Sequence, residues 1–277
     1  MYAFGIITHF IDGIGRRFIS TVNYTLQMLL MTYLSFRSAL QNEAQSLRAI
    51  TSVILLQVYF TGVQALSLIS VIAVASSTIA VMQSASQFSF LGGSEMVGQL
   101  LVTIVIRELA PLITALIVIA RSGTAVASEL GNMRVNREIE ALESLGINPL
   151  SYIVFPRLMG GILSVICLSL YYAFFAIIGG FVFSKILLNM PLSYFLDSIV
   201  QAITVEDVYM FAVKILFSGF LIFAISCHQG LQVKNGPHEV PQATTKAVVN
   251  SIIYVMAFHI LTTALFYFSR LVKLGLI

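Results

Sequence analysis

Hydrophobic residues in this chain come in long runs separated by short polar stretches. Five runs, at roughly 53–82, 96–128, 158–184, 208–227 and 247–269, each meet the requirement of about 20 apolar residues for a helix crossing a bilayer core about 30 Å thick. No backbone polar group can be left unpaired in lipid, so each run predicts a membrane-spanning helix. The pattern therefore predicts an all-α integral membrane protein in a single domain, residues 1–277, with no room for a soluble one.

A sixth stretch, 18–36, is also uncharged, but its pattern differs. Phe18, Val22, Leu26, Leu29, Leu30 and Tyr33 recur every three or four residues with Ser, Thr, Asn and Gln between them. One apolar face flanked by Arg16, Arg17 and Arg37 suits an amphipathic helix lying in the membrane interface, with about 14–48 as its bounds. Were it a span instead, the orientation of the chain would invert.

Composition agrees with the runs. Apolar residues make up 58% of the chain and charged residues 10%, well below the ~25% charged of soluble domains. A net charge of +3 spread over a membrane protein is no signal for nucleic acid. The first nine residues lack the basic cluster and apolar core of a signal peptide, and residues 1–15 lack an Arg- and Ser-rich transit sequence, so neither is expected. Cys167 and Cys227 fall in separate runs and are expected as buried small apolar residues, unpaired.

Charge bias sets the expected orientation. With five spans, one face holds Arg16, Arg17, Arg37, Arg48, Arg134, Arg137, Arg157, Lys234 and Lys246; the other holds Lys185, Lys214, Arg270 and Lys273. The heavier side is read as cytoplasmic, which puts the N-terminus in the cytoplasm and the C-terminus outside.

The search for chemistry mostly excludes it. There is no G-x-x-x-x-G-K-[ST] loop, no H-E-x-x-H, no G-x-S-x-G and no metal-spaced Cys/His cluster, and His9, His228, His238 and His259 have no partner spacing. Ser122 with His259 as base would make an intramembrane protease, but small hydroxyl residues in membrane helices far more often pack or bond a carbonyl. The chain cannot hydrolyse ATP alone, so any ATP drive needs a partner.

Charges inside the second run carry the functional expectation. Only twelve residues separate Glu108 from Arg121, about 18 Å of helix, too short to cross. The apolar residues 96–106 must supply the rest, which puts Arg107 and Glu108 inside the bilayer. Charges at that depth cost about 2.5 to 3.5 kcal/mol each and usually face a bundle interior or a cavity. A binding pocket is one reading of the pair; a buried salt bridge between helices is the other. Downstream, Gly123, Ala127 and Gly131 form a small-residue stripe suited to close helix packing.

The stretch 132–157 is the most charged in the chain. Arg134, Arg137, Glu138, Glu140 and Glu143 fit a short cytoplasmic helix capped by Gly146 and ended by Asn148-Pro149. Ile139, Leu142 and Leu145 form an apolar ridge on it, which suits either docking or an ordinary connector.

Two blocks, "RELAPLITALIVIARSGTAVASELGNMRVNREIEALESLGINPLSYIVFPR" at 107–157 and "GPHEVPQATTKAVVNS" at 236–251, resemble the MlaE-type permeases of bacterial ABC transporters that work with MCE proteins. Ala110 and Ile119 stand where that family often has Gly, and neither is a charged position. The resemblance implies a homodimer bound to two ATPase subunits, which carry ATP and Mg, and to an MCE-domain ring on the other side. It implies transport of phospholipid between the inner and outer membranes of a Gram-negative bacterium. It also implies that the helix at 134–145 couples to the ATPase, and that Arg107 and Glu108 lie beside a lipid pocket between subunits. Without the resemblance, an ion- or proton-coupled carrier and a non-transporting scaffold remain open.

Overall fold

The structure, a computed structural model, describes residues 2–41, 47–88, 96–234 and 236–273. Helix α1 covers Tyr2–Gln41. Five helices long and apolar enough to cross a membrane follow among the described residues: α2 (Ile50–Ser84), α3 (Val97–Val135), α5 (Leu150–Leu188), α7 (Val205–Leu231) and α8 (Glu239–Val272). Two short helices connect them, α4 (Glu138–Ser144) at one end of the bundle and α6 (Leu192–Ala202) at the other.

The spans are longer than their apolar runs because polar residues at both ends continue the helix into the headgroup level. The stretch 132–157 is consequently only in part a loop: α3 runs on to Val135 and α5 starts at Leu150. Arg137 sits in the left-handed region (φ 57°) and starts α4, and Gly146 (φ 75°) follows it. Asn148 then accepts a hydrogen bond from the backbone N–H of Leu150 at 3.0 Å, which opens α5.

Helices α3, α5 and α7 form the centre, with α2 against α5 and α8 against α3 and α7. Adjacent glycines on α5 serve opposite neighbours. A Cβ at Gly160 would lie 2.8 Å from Gln57 of α2, and one at Gly161 would lie 2.2 Å from the Phe223 ring of α7. The bare backbone admits both helices at close range, and in lipid such close packing replaces the drive that water supplies elsewhere. The stripe of Gly123, Ala127 and Gly131 faces α7, the turn after it and the start of α8: Gly123 approaches Ser226, Ala127 approaches Gly230, and Gly131 approaches Val233 and Val240.

Helix α8 is attached by a narrow seam. Ala247, Ser251, Val255, His259 and Phe266 are buried, while Val249, Ile252, Ile253, Ile260, Leu261 and Leu265 beside them are exposed. Only 17% of its apolar stretch is buried, against 56% for α3.

Helix α1 turns its Tyr24, Met28, Thr32 and Ser35 face to the protein, and Val22, Leu26, Leu29, Leu30 and Tyr33 point away. The Ser35 hydroxyl donates to Leu150 O at 2.8 Å, Asn148 donates to Ser38 at 2.7 Å, and Tyr24 meets Gln229 and His228. These partners are the first turns of α5 and the last turn of α7, at the α4 end of the bundle. A helix that touches only one end of its neighbours and shows its apolar face outward has the placement of an interfacial helix. The expected reach to 48 includes residues 42–46, which lie outside the described residues.

Cys227 is buried and Cys167 exposed, both unpaired; the expectation of two buried cysteines fails at Cys167, which faces outward on α5.

Candidate functional site

Arg107 and Glu108 lie where the α3 backbone widens into a π-helical stretch, Leu101–Leu109. Pro111 explains part of this, because it has no N–H to give the carbonyl of Arg107 four residues back. Of two further π stretches among the described residues, Ile119–Gly123 and Leu150–Val154, the latter likewise stops two residues short of a proline, Pro156. Such insertions in membrane-length helices often accompany functional positions.

The two side chains diverge. Arg107 is 3% exposed and uses its whole fork: Nη1 donates to Asp207 Oδ1 at 3.0 Å, Nη2 to the Tyr267 hydroxyl at 2.7 Å, and Nε to Glu108 Oε1 at 3.2 Å. Its guanidinium carbon also lies 4.9 Å from the centre of the Phe266 ring, within cation–π range. Glu108 turns instead to Lys214, whose Nζ donates to Oε2 at 2.5 Å, and Thr263 donates to the same oxygen at 3.0 Å.

Asp207 is positioned by its own helix start. Thr204 and Asp207 form a capping box at the N-terminus of α7, with Asp207 Oδ2 accepting from the Thr204 N–H at 3.1 Å and from its hydroxyl at 2.7 Å. That arrangement leaves Oδ1 for Arg107. One carboxylate thus ends a helix and neutralises a cation on another.

Lys214 is fully buried on α7. Its placement among the loop charges is therefore corrected: it is an intramembrane charge, and it carries no information about orientation. Two cations, Arg107 and Lys214, meet two carboxylates, Glu108 and Asp207, and the set is charge-balanced across α3 and α7, with Thr263 and Tyr267 of α8 joining it.

The cluster separates two cavities of different character. On the α6 side lies a polar one of about 370 Å³, lined by Arg107 with Gln99, Thr103, Tyr194, Asp197 and Arg270. On the α8 side lies an apolar one of about 410 Å³, where Leu112, Met256, Ile260 and Ala264 surround Glu108. His259 lines the apolar cavity and bonds Ser218 at 2.9 Å; its partner is Ser218, not Ser122.

The charged helix α4 stands at the opposite end. Arg134 bridges to Glu140 at 3.1 Å, and Arg137, Glu138, Glu140 and Glu143 are exposed. The apolar ridge does not face out as a unit: Ile139 is 2% exposed, Leu142 packs against the core, and Leu145 alone is open, at 74%.

Sequence reasoning found Arg107 and Glu108 but missed Lys214, Asp207, Thr263 and Tyr267. Lys214 carried a usable signal, since "MFAVKILFSGF" puts a lone charge within an apolar run and the insertion cost applied to Arg107 applies equally there. The Thr204-x-x-Asp207 spacing signalled a helix start. Nothing local signalled that its free oxygen serves Arg107.

Five apolar spans around a buried ionic cluster, with a charged helix at one end, define a multi-pass helical membrane protein. The family model for Permease MlaE matches residues 54–265. A probable ABC transporter permease protein of Rickettsia bellii is 32% identical over 80% of this chain and 89% of its own length. Others of that description are 34% identical in Synechocystis, over 62% of this chain and 66% of the relative, and 31% identical in Porphyra purpurea, over 84% and 86%. The chain belongs to the MlaE permease family of ABC transporters. As a permease subunit it is not itself an enzyme.

Proposed function

We propose that this permease moves a phospholipid between inner and outer membranes, as a homodimer working with two ATPase subunits and an MCE-domain ring. The observation that carries the reading is the ionic cluster set between a polar and an apolar cavity. An amphiphile needs that pairing: a charged headgroup on one side and a dry surface for its tails on the other.

The geometry supports an order of events. Every donor nitrogen of Arg107 is engaged, so a lipid phosphate must displace a partner. Tyr267 is the one that leaves at least cost: it is neutral, while release of Asp207 would strand a charge and release of Glu108 would break an ion pair. The phosphate then takes the Nη2 position, and the tails lie against Leu112, Met256 and Ile260. ATP, held with Mg by the partner ATPases, drives α4 and closes the cavity of the dimer. The α4 end faces the cytoplasm of a Gram-negative bacterium's inner membrane, with the N-terminus inside and the C-terminus in the periplasm.

The test is reconstitution of the permease with its ATPase and MCE partners, followed by measurement of co-purified phospholipid and ATP-driven lipid transfer. Arg107→Ala is expected to lose transfer and the phospholipid held at the cluster, and the paired Lys214→Met, Glu108→Gln exchange to fold normally but transfer slowly. Lipid occupancy and transfer that match the unaltered complex in Arg107→Ala would overturn the proposal.

A further inference from the structure

A second groove lies on the other side of the bundle, where the α4-proximal half of α2 faces α3 and the start of α5. Two adjoining cavities of about 370 Å³ each share Glu129 as a common wall. One reaches along Gln57, Thr61 and Gln64 of α2 to Arg121; the other runs to Arg157.

Both arginines have unused donors there. Arg121 gives Nη2 to Gln64, and its Nη1 is buried with no hydrogen-bond partner among the described residues. Arg157 is 8% exposed and gives Nη2 to Glu129 at 2.6 Å, and its Nη1 is likewise buried and unpartnered. A buried guanidinium N–H without an acceptor costs free energy, and native proteins rarely leave one so. Here there are two along one groove. Arg107, by contrast, has no donor nitrogen to spare.

Charge narrows the occupant. The lining holds two guanidinium groups and two carboxylates, but Glu129 pairs with Arg157 and Glu138 takes a hydrogen bond from Asn136, so neither carboxylate reaches Nη1 of Arg121 or of Arg157. The unmet demand is for oxygen acceptors carrying negative charge, which a phosphodiester supplies with the geometry that arginine matches best. Apolar side chains continue the groove outward: Leu56, Tyr59, Phe60 and Val63 of α2 are all exposed. An acceptor at the arginines next to an exposed apolar strip describes a lipid, with its headgroup in the groove and its tails against α2.

We infer that the α2–α3 groove is a second lipid site, distinct from the cluster at Arg107, which holds a phospholipid through the phosphate and ester oxygens of its headgroup region at the free donors of Arg121 and Arg157. It serves a lipid of the leaflet on the α4 side of the membrane. It stands whether or not the Arg107 cluster binds the transported lipid.

Native mass spectrometry of the detergent-purified protein with added phosphatidylethanolamine of defined mass tests it. The unaltered chain should retain a lipid adduct, and Arg121→Gln should weaken it about tenfold, the effect of losing one charge-assisted contact. Ala125→Trp should also remove it: Ala125 is an exposed residue of the groove, so the ring fills the space and leaves both arginines intact. Arg107→Ala should retain this adduct and lose only lipid held at the Arg107 cluster. An adduct unchanged in Arg121→Gln and Ala125→Trp, or one lost only in Arg107→Ala, would overturn the assignment. So would inorganic phosphate displacing the lipid at equal concentration, since the site would then hold a free anion.

Discussion

Arg107 and Asp207, one hundred residues apart in the chain, form a 3.0 Å ion pair that fastens the middle of the bundle to the N-terminus of α7. Neither residue has a local reason to face the other. The π stretch in α3 turns Arg107 that way, and the capping box leaves one oxygen of Asp207 free to meet it.

Removing one side of this pair should cost far more than removing both. Arg107→Ala leaves Asp207 without a cation and Glu108 with Lys214 alone, and is expected to destabilise by about 3 to 5 kcal/mol, while Arg107→Met with Asp207→Asn should recover a good part of that. Denaturation in detergent micelles of the single and double variants measures the coupling. Strictly additive losses would show the pair to be unimportant.

The glycine pair on α5 makes a packing prediction. Gly161→Ala puts a methyl 2.2 Å from the Phe223 ring and should destabilise by about 1 to 3 kcal/mol, the usual cost of overpacking. Phe223→Leu in the same chain should restore part of the loss. Thermal unfolding followed by tryptophan-independent far-UV dichroism suits a protein with no Trp.

Helix α4 and the residue that ends it, Leu145, present two opposite outcomes. Ile139→Asp buries a charge and should prevent folding, so the protein fails to accumulate in membranes. Leu145→Asp changes an open position and should leave the fold intact, yet lose co-purification of the ATPase if this end of α4 is the docking point. Retention of the ATPase by Leu145→Asp would move the contact to the acidic face formed by Glu140 and Glu143.

The spans were legible because membrane crossing imposes a length and an apolar content that few other structures share. Their ends were not, since Asn132, Arg134 and the residues 150–157 continue helices that hydropathy alone would stop. Arg107 and Glu108 stood out through their cost in lipid, but cost does not say who compensates. Tyr267 and Thr263 are ordinary helix residues whose role exists only through the crossing of α8 with α3 and α7. The ridge on α4 shows the same limit: the helical period put Ile139, Leu142 and Leu145 on one side, but only the turn at Arg137 decides which of them the protein covers.

The narrow attachment of α8 has a mechanical meaning. Lipid is as apolar as the residues along its flanks, so turning α8 about its own axis forfeits little burial, and hydrophobic packing sets its angle only weakly. The angle is fixed by a few directional contacts, Ser218 to His259, Lys214 to Thr263 and Arg107 to Tyr267. They act as detents on a roller: each holds one rotational setting, and a ligand that takes over the Tyr267 contact removes one of them.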